Sequence, residues 1–263
     1  MSRKKWIIFG LSVVFATFLS QCKMPWKFSE KWLACDVVGE NIDFEYENFS
    51  QIISKPLQYL GHGMQAIAFT TDDGKYVLKF LTIKPIKGQK FFDHFICSKD
   101  PFFHGNNHKI KVQKVMQTYV RVYREMREET GLIGLHFYPT DKKWGQCEVV
   151  NRDGEYFQID LDKTPFILQL RGELLHSAFS NKSPEEYQIL LKSFEEFLEA
   201  RARKGYTDPN HAFKPQNYAF IDSHPVMIDP GNLKYKESQK QNPEPEIQRI
   251  QQLFHKYINK IVY

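Results

Sequence analysis

Apolar positions alternate along the first half of the chain and recur at helical spacing along much of the second. Through 57–80, "LQYLGHGMQAIAFTTDDGKYVLKF", the alternation is cut by a glycine turn and again by Asp72-Asp73-Gly74-Lys75. Three strands joined by tight turns are predicted, because Asp-Gly between β-rich runs favours a hairpin. Residues 81–110 are basic, aromatic and turn-rich, with no clear period. From about Lys111 to Glu129 the spacing is helical, through Val112, Val115, Met116, Tyr119, Val122, Tyr123 and Met126, and Gly131 is the expected stop. Short strands are predicted at 132–138, 147–151, 156–161 and 165–171, with Asp153-Gly154 as a second hairpin turn.

The best helix signal comes next. Ser183 caps it, Pro184 suits its first position and Glu186 completes an S-x-x-E capping box. Tyr187, Leu190, Leu191, Phe194, Phe197 and Leu198 form its apolar stripe, and Gly205 closes it. A strand-turn-strand is predicted in "KPQNYAFIDSHPVMIDPGNL", residues 214–233, and a Pro243/Pro245 segment leads into a last amphipathic helix from Ile247 to Ile258. No internal repeat occurs. This order predicts an α+β chain in two lobes: a linker and lead-in over 23–54, a β-rich part with one helix over 55–171, and a helical part over 172–263.

With 263 residues, the chain is long enough for one large domain or two small lobes. Its 42% hydrophobic and 15% aromatic content excludes a disordered chain. The net charge of +5 comes partly from the N-terminus and partly from lysines spread over 84–114. No basic face is concentrated, so a nucleic-acid partner is not expected. Cys22, Cys35, Cys97 and Cys147 match no zinc spacing and include no C-x-x-C. If Cys22 is otherwise used, three remain, which argues against a disulfide framework.

Residues 1–22 begin with Arg3, Lys4 and Lys5 and continue with an apolar run from Trp6 to Leu19. As a helix that run would extend about 21 Å, short of the roughly 30 Å of a membrane core. It therefore reads as the core of a signal peptide. Leu19-Ser20-Gln21-Cys22 resembles the lipobox of bacterial lipoproteins, which implies lipidation of Cys22, although Gln21 stands where a small residue is usual. A lipoprotein, a cleaved export signal and an uncleaved anchor all stay open. The expectation is an exported, membrane-associated protein held through its N-terminus.

Three places could carry chemistry. Gly61-His62-Gly63 lies between strands, so it is no dinucleotide fingerprint, which needs a helix next. It is either a plain hairpin or bulge, or a turn whose backbone approaches phosphates. Lys79, inside the apolar strand "YVLKF", is either an edge-strand charge or one aimed into a cleft. A charge in a cleft needs a partner, and the helix at 111–129 offers Glu125 first and Glu129 second. Asn217 and Asp229 flank the open end of the predicted hairpin. They read either as turn formers or as oxygen ligands for a hard cation such as Mg²⁺.

The ordered set resembles the protein-kinase-like fold of protein kinases and aminoglycoside-type phosphotransferases, over about residues 55–235. Gly61-x-Gly63 resembles the nucleotide-covering loop and Lys79 in V-L-K the third-strand lysine, with Glu125 as its helix partner. "PFILQLRGELL" at 165–175 resembles the strand and hinge that hold adenine. "KPQN" resembles the catalytic-loop K-P-x-N, and "IDPG" the D-F-G metal motif. The resemblance implies a bilobal fold with a β-rich N-lobe and a short, truncated helical C-lobe. It also implies that Lys79 holds the phosphates of ATP, and that Asn217 and Asp229 bind Mg²⁺.

Departures from the family pattern narrow the functional readings. Ala212 stands where the catalytic aspartate belongs, and the nearest upstream acid is Asp208 in "GYTDPNHAF". Asp208 is the candidate base if the loop is longer than usual, and His211 is an alternative. Only 34 residues follow Asp229, and no A-P-E occurs, so an ordinary protein-substrate kinase is not expected. Three readings result. The chain is a degenerate, pseudokinase-type nucleotide-binding or interaction module; or a small ATP-dependent phosphotransferase using Asp208; or a structural α+β lipoprotein unrelated to kinases.

Overall fold

A computed structural model describes residues 33–35, 37–42, 49–63, 65–82, 101–180, 182–208 and 213–262. The expectations for residues 1–22, Cys22, Cys97, His211 and Ala212 lie outside the described residues.

The first half of the chain builds a seven-stranded mixed sheet. A short helix, α1 (Phe49–Ile52), precedes β1 (Leu57–His62), β2 (Ala66–Thr70) and β3 (Tyr76–Leu81). A long helix, α2 (Pro101–Glu125), comes next, then β4 (Leu132–His136), β5 (Gln146–Val150), β6 (Tyr156–Asp160) and β7 (Phe166–Leu170). The strand order is β4-β7-β3-β2-β1-β5-β6. All neighbours are antiparallel except β1 and β5, which run parallel. The turn glycines Gly74 and Gly154 have φ of +69° and +81°, which L side chains rarely adopt.

The two faces of this sheet are packed differently. Alternation on β3 sends Leu78 and Phe80 to one face and Lys79 and Leu81 to the other. The first face holds Leu57, Ile67, Phe69, Phe166 and Leu168 with Phe49 and Ile52 of α1. The second is covered by α2 through Val112, Val115, Met116, Tyr119 and Val122. The lead-in is therefore more than a linker. Leu33 bridges to Thr82 and Ile42 to Leu135, and Leu33, Val37, Phe49 and Ile52 are all buried.

β4 and β7 lie side by side, yet the chain between them crosses to the opposite edge to form β5 and β6. Asp162 pins that crossing. Its carboxylate accepts from Thr140 Oγ1 (2.6 Å) and from the backbone N–H groups of Lys143 (2.8 Å), Trp144 (3.1 Å) and Gly145 (2.9 Å). Trp144 is thereby set edge-on against Phe49 at 4.9 Å and Phe166 at 5.7 Å.

The second half is mainly helical. It contains β8 (Glu173–Leu174), α3 (Leu175–Ala178), α4 (Pro184–Arg203), β9 (Tyr206–Thr207), β10 (Tyr218–Ile221), β11 (His224–Met227), β12 (Lys234–Tyr235), α5 (Glu237–Gln241) and α6 (Glu244–Val262). β8, β10 and β11 form a small sheet, and β9 pairs with β12. The Ser183/Glu186 capping box on α4 forms as its sequence predicts. Phe194 of α4 packs tilted against Phe254 of α6 with centroids 4.5 Å apart, at the centre of an aromatic cluster with Phe213, Tyr218 and Phe220. Among the described residues, no helix is long and apolar enough to cross a membrane.

One boundary needs correction. The helix predicted from Lys111 to Glu129 begins at Pro101 and ends at Glu125, and Glu128–Thr130 forms a separate 3-10 turn. The stretch 101–111 hides the start, because Phe102 and Phe103 are followed by Gly105, Asn106 and Asn107 and no apolar period is sustained.

If the lead-in belongs to the core, Phe49→Ala destabilises the protein by about 3–5 kcal/mol, read from urea denaturation; a linker would give no change. Acid stability depends on Asp162. Burial would raise its pKa, but the bonds from Thr140, Gly145, Trp144 and Lys143 outweigh it and hold the carboxyl at about 2. A depressed carboxylate stabilises the fold above its unfolded pKa of about 3.9 and loses that contribution as pH falls towards 2. Asp162→Asn removes this component, so the difference in stability between pH 6 and pH 2.5 shrinks by about 2 kcal/mol.

Candidate functional site

The site begins with a row of residues across the large sheet. Gly61 pairs with Ala68, Ala68 with Lys79, Lys79 with Ile167, and Ile167 with Leu135. Paired residues share a face, so Gly61 and Lys79 lie two strands apart on the face that α2 covers, roughly 10 Å from each other. β3 is flanked by β2 and β7, which excludes the edge-strand reading of Lys79. Gly61 sits at a register shift between β1 and β2. Methyl groups built on Gly61 and Gly63 would meet nothing within 4 Å. The space above this turn is open.

The opposite wall arrives through a two-residue crossing. β7 ends at Leu170, and after Arg171-Gly172 the chain enters β8, which pairs with β10. A Cβ on Gly172 would lie 2.8 Å from Ala219 Cβ and 2.9 Å from the Phe220 carbonyl oxygen, so only glycine passes here. This is the segment that resembles a strand and hinge, and it joins the two sheets directly.

The hairpin β10–β11 then brings its open end to the row. The Ile228 N–H donates to the Asn217 carbonyl at 2.8 Å, so Asn217 and Asp229 stand at the same end of the hairpin. The Lys79 ammonium donates to the Ile228 carbonyl oxygen. Burial pushes the Lys79 pKa down to about 8, against the opposing pull of the Asp229 carboxylate. Tyr119, a side chain only 2% exposed, lies within electrostatic reach of Asp229. Burial and the negative charge of Asp229 both hold the Tyr119 pKa well above its usual range.

Tyr119 is the residue that sequence reasoning misses. Its spacing places it in the apolar stripe of the helix, but a buried tyrosine hydroxyl needs a partner, and that is the signal that could have found it. Gly231 makes the contact close: a Cβ there would be 2.9 Å from Tyr119 Cε2 and 3.0 Å from Val115 Cγ1. The glycine of "IDPG" is thus required by the approach of α2.

Glu125 does not pair with Lys79. Its carboxylate accepts the Tyr206 hydroxyl, and Glu129 is ion-paired with Lys204. The reason is geometric. Six residues beyond Tyr119, Glu125 lies about 120° round the helix and roughly 9 Å along it.

Asp208 is not in the cleft either. It is 2% exposed, and its Oδ2 accepts from Arg201 Nη1 at 2.7 Å and from the Tyr218 hydroxyl at 3.1 Å. Arg201 is itself fully buried on the last turn of α4 and donates to the Tyr218 oxygen at 2.7 Å. A base must reach the proton it removes, and this carboxylate is enclosed and engaged. The expectation that Asp208 is the catalytic base is corrected on that ground.

A Mg²⁺ ion here would have the Asn217 amide oxygen and the Asp229 carboxylate as protein ligands. Among the described residues no group of three His, Cys, Asp or Glu gathers. Mg²⁺ takes an octahedral shell of oxygens and is held by one or two carboxylates together with substrate phosphates, so Asn217 and the exposed Asp229 are the groups at the hairpin end that would face it. Two pockets flank this region among the described residues. One of about 330 Å³ is near Arg171, Lys182 and Ser223, and one of about 510 Å³ is near Asn41, Arg124 and Arg127.

Comparison with protein-family models finds no match, and comparison with curated proteins finds none. Among solved structures, the chain is similar to a high-resolution structure of WbdD. The TM-score is 0.36 and the identity 14%, over 70% of this chain and 34% of that one. A co-crystal of WbdD with the kinase inhibitor LY294002 gives 0.33 and 14%, over 68% and 33%. A structure of "the bifunctional kinase-methyltransferase WbdD" gives 0.34 and 14%, over 66% and 31%. The chain spans about a third of the length of these structures, and the likeness assigns no residue a role. A mixed sheet followed by helices makes the chain α+β.

The enclosed acid yields a stability prediction. Asp208→Ala leaves the Arg201 charge buried and uncompensated, so unfolding free energy falls by about 3–5 kcal/mol. Chemical denaturation checks it; a loss under about 1 kcal/mol would mean that Asp208 is solvated and free to move.

Proposed function

We propose that the chain is a kinase-like nucleotide-binding module that does not transfer phosphoryl groups through Asp208. The observation that carries this reading is Lys79: a half-buried lysine on an interior strand, meeting the Ile228-Asp229 turn from the other sheet. Such a lysine serves as a fixed donor for an incoming phosphate. The row from Gly61 to Ile167 supplies the rest of the wall. Ala66 and Ala68 keep the sheet face shallow, and no side chain crowds the turn at Gly61–Gly63, whose Gly63 N–H is bonded to the Ala66 carbonyl oxygen. The crossing at Arg171-Gly172 closes one end of the slot, where a planar base would lie beside backbone and the exposed Leu174.

The lack of a base is part of the proposal. Asp208 is withheld in a buried pair, and Ala212 carries no acid. A bound nucleotide would stabilise the arrangement of the two sheets and any surface built on it, which is how a binding module acts. We further propose that the N-terminus, with Cys22 as lipid attachment, holds the module at a membrane after export. Labelling with a fatty acid, absent in Cys22→Ser, would test the attachment separately.

For the cleft, ATP or ADP should raise the melting temperature of the full chain, and Lys79→Ala should weaken binding about tenfold or more through loss of a charged donor. Incubation with ATP and mixed hydroxyl acceptors should give no phosphorylated product. Turnover, or a Lys79→Ala variant that binds nucleotide as tightly as the wild type, would refute the reading.

A further inference from the structure

Alternation on β4 places His136 on the sheet face opposite Leu135 and Lys79, away from the nucleotide cleft. Its side chain is 2% exposed, with the ring 5.0 Å from that of Phe166. The Trp144 Nε1–H donates to His136 Nδ1 at 3.2 Å. An indole nitrogen can only donate. Nδ1 is therefore the acceptor, and the neutral ring carries its proton on Nε2, which faces the Asp162 carbonyl oxygen at 3.4 Å. The same indole lies edge-on to Phe49 of α1 at 4.9 Å and to Phe166 at 5.7 Å. One hydrogen bond thus joins the protonation state of a histidine to the seating of the lead-in on the sheet.

A second proton, on Nδ1, would set two N–H donors against each other across that 3.2 Å contact. We propose that His136 and Trp144 form an acid-released latch: proton uptake from solvent at His136 Nδ1 turns the indole away from Phe49 and Phe166 and loosens α1, while Asp162 keeps the backbone of the crossing tied. Burial opposes the charged ring most strongly and lowers the His136 pKa; the carbonyl and carboxylate of Asp162 favour the charge, and Lys143 opposes it. Phe166 on β7 and Phe49 on α1 bring no charge to the ring. A histidine whose folded pKa lies below its unfolded value of about 6.5 stabilises the fold fully above that pH and stops doing so as pH falls through the folded value. Asp162, held at about 2, is still ionised when His136 titrates, so the two acid effects are separate. Because α1 precedes the sheet, the latch makes the attachment of the N-terminal part of the chain depend on acidity.

The test is acrylamide quenching of tryptophan fluorescence in the full chain, from about pH 7.5 to about pH 4. Trp144→Phe leaves Trp6, Trp26 and Trp32, so the difference from wild type isolates the Trp144 signal. Its quenching should rise several-fold, with a midpoint below about pH 6.5. His136→Gln keeps an acceptor for the indole and does not titrate, so its Trp144 signal should stay flat. Over the same range, amide exchange at Ile53, whose N–H is bonded to the Phe49 carbonyl at 3.2 Å, should accelerate in the wild type relative to His136→Gln. Melting temperatures at about pH 7.5 identify a variant that fails to fold. Should His136→Gln be one, wild type and Trp144→Phe still decide by urea denaturation: without the opposed donor, Trp144→Phe should lose less stability in acid. The proposal is overturned by a flat Trp144 signal in the wild type, by an equal rise in folded His136→Gln, or by an acid loss in Trp144→Phe as large as that of the wild type.

Discussion

An amino group carried on an interior strand of a sheet has to be met by oxygen, because an uncompensated buried charge costs several kcal/mol. Lys79 imposes that requirement here, and much of the architecture answers it. Its neighbours across the sheet, Ala68 and Ile167, offer no side-chain acceptor. The acceptor comes from the second half of the chain, as the Ile228 carbonyl at the open end of a hairpin. For that hairpin to arrive, the crossing between the sheets must be short and flat, which Gly172 allows, and the turn after Asp229 must fit against α2, which Gly231 allows. Two glycines thus convert one half-buried charge into a fixed relation between two sheets.

The sheet that carries Lys79 is held from both sides by segments far apart in sequence. α2 covers one face, while α1 and the crossing before β5 cover the other. Phe49, Trp144 and Phe166 meet in that second core, and Asp162 ties the crossing by four hydrogen bonds. A sheet packed on both faces resists bending, so the row from Gly61 to Leu135 is a rigid wall. The site is therefore set by backbone positions, with α2 as the element able to alter it.

Much of this order is legible in sequence. Hairpins at Asp-Gly, the capping box at Ser183 and the stripe of α4 each carry a local signal, and they form where those signals lie. Proximity of Asn217 and Asp229 is implied by the hairpin between them. The partners are not legible in the same way. Chain order points to Glu125 and Asp208, but partner choice depends on helix rotation and on the other groups buried nearby. Lys79 is met by the Ile228 carbonyl, and six residues before Glu125 the same helix places Tyr119 against Gly231. The start of α2 at Pro101 is hidden for a different reason, since a helix end without apolar period gives the pattern nothing to register. The lead-in reads as a linker because its buried residues Leu33, Val37, Phe49 and Ile52 fall in two short pairs and not in a sustained apolar period.

Two carboxylates show how the fold divides its acids. Asp229 is exposed at the cleft, while Asp208 is enclosed with Arg201 and Tyr218. Could a longer loop swing Asp208 into the cleft? Arg201 already has Nε and Nη2 without hydrogen-bond partners. Removing Asp208 would deprive it of its one close carboxylate, since Glu246 is bonded to Arg249 and Thr207. Burial opposes a charged Arg201, yet Tyr218, Asp208 and Glu246 together hold its pKa above the usual range, so the charge persists and must be met. Moving Asp208 would also release the Tyr218 hydroxyl, and Tyr218 follows Asn217 directly in the chain. The same displacement that brought a base to the cleft would loosen the end of the hairpin that presents Asn217. The buried pair and the cleft are therefore alternatives for this carboxylate, and the fold has given it to the hairpin.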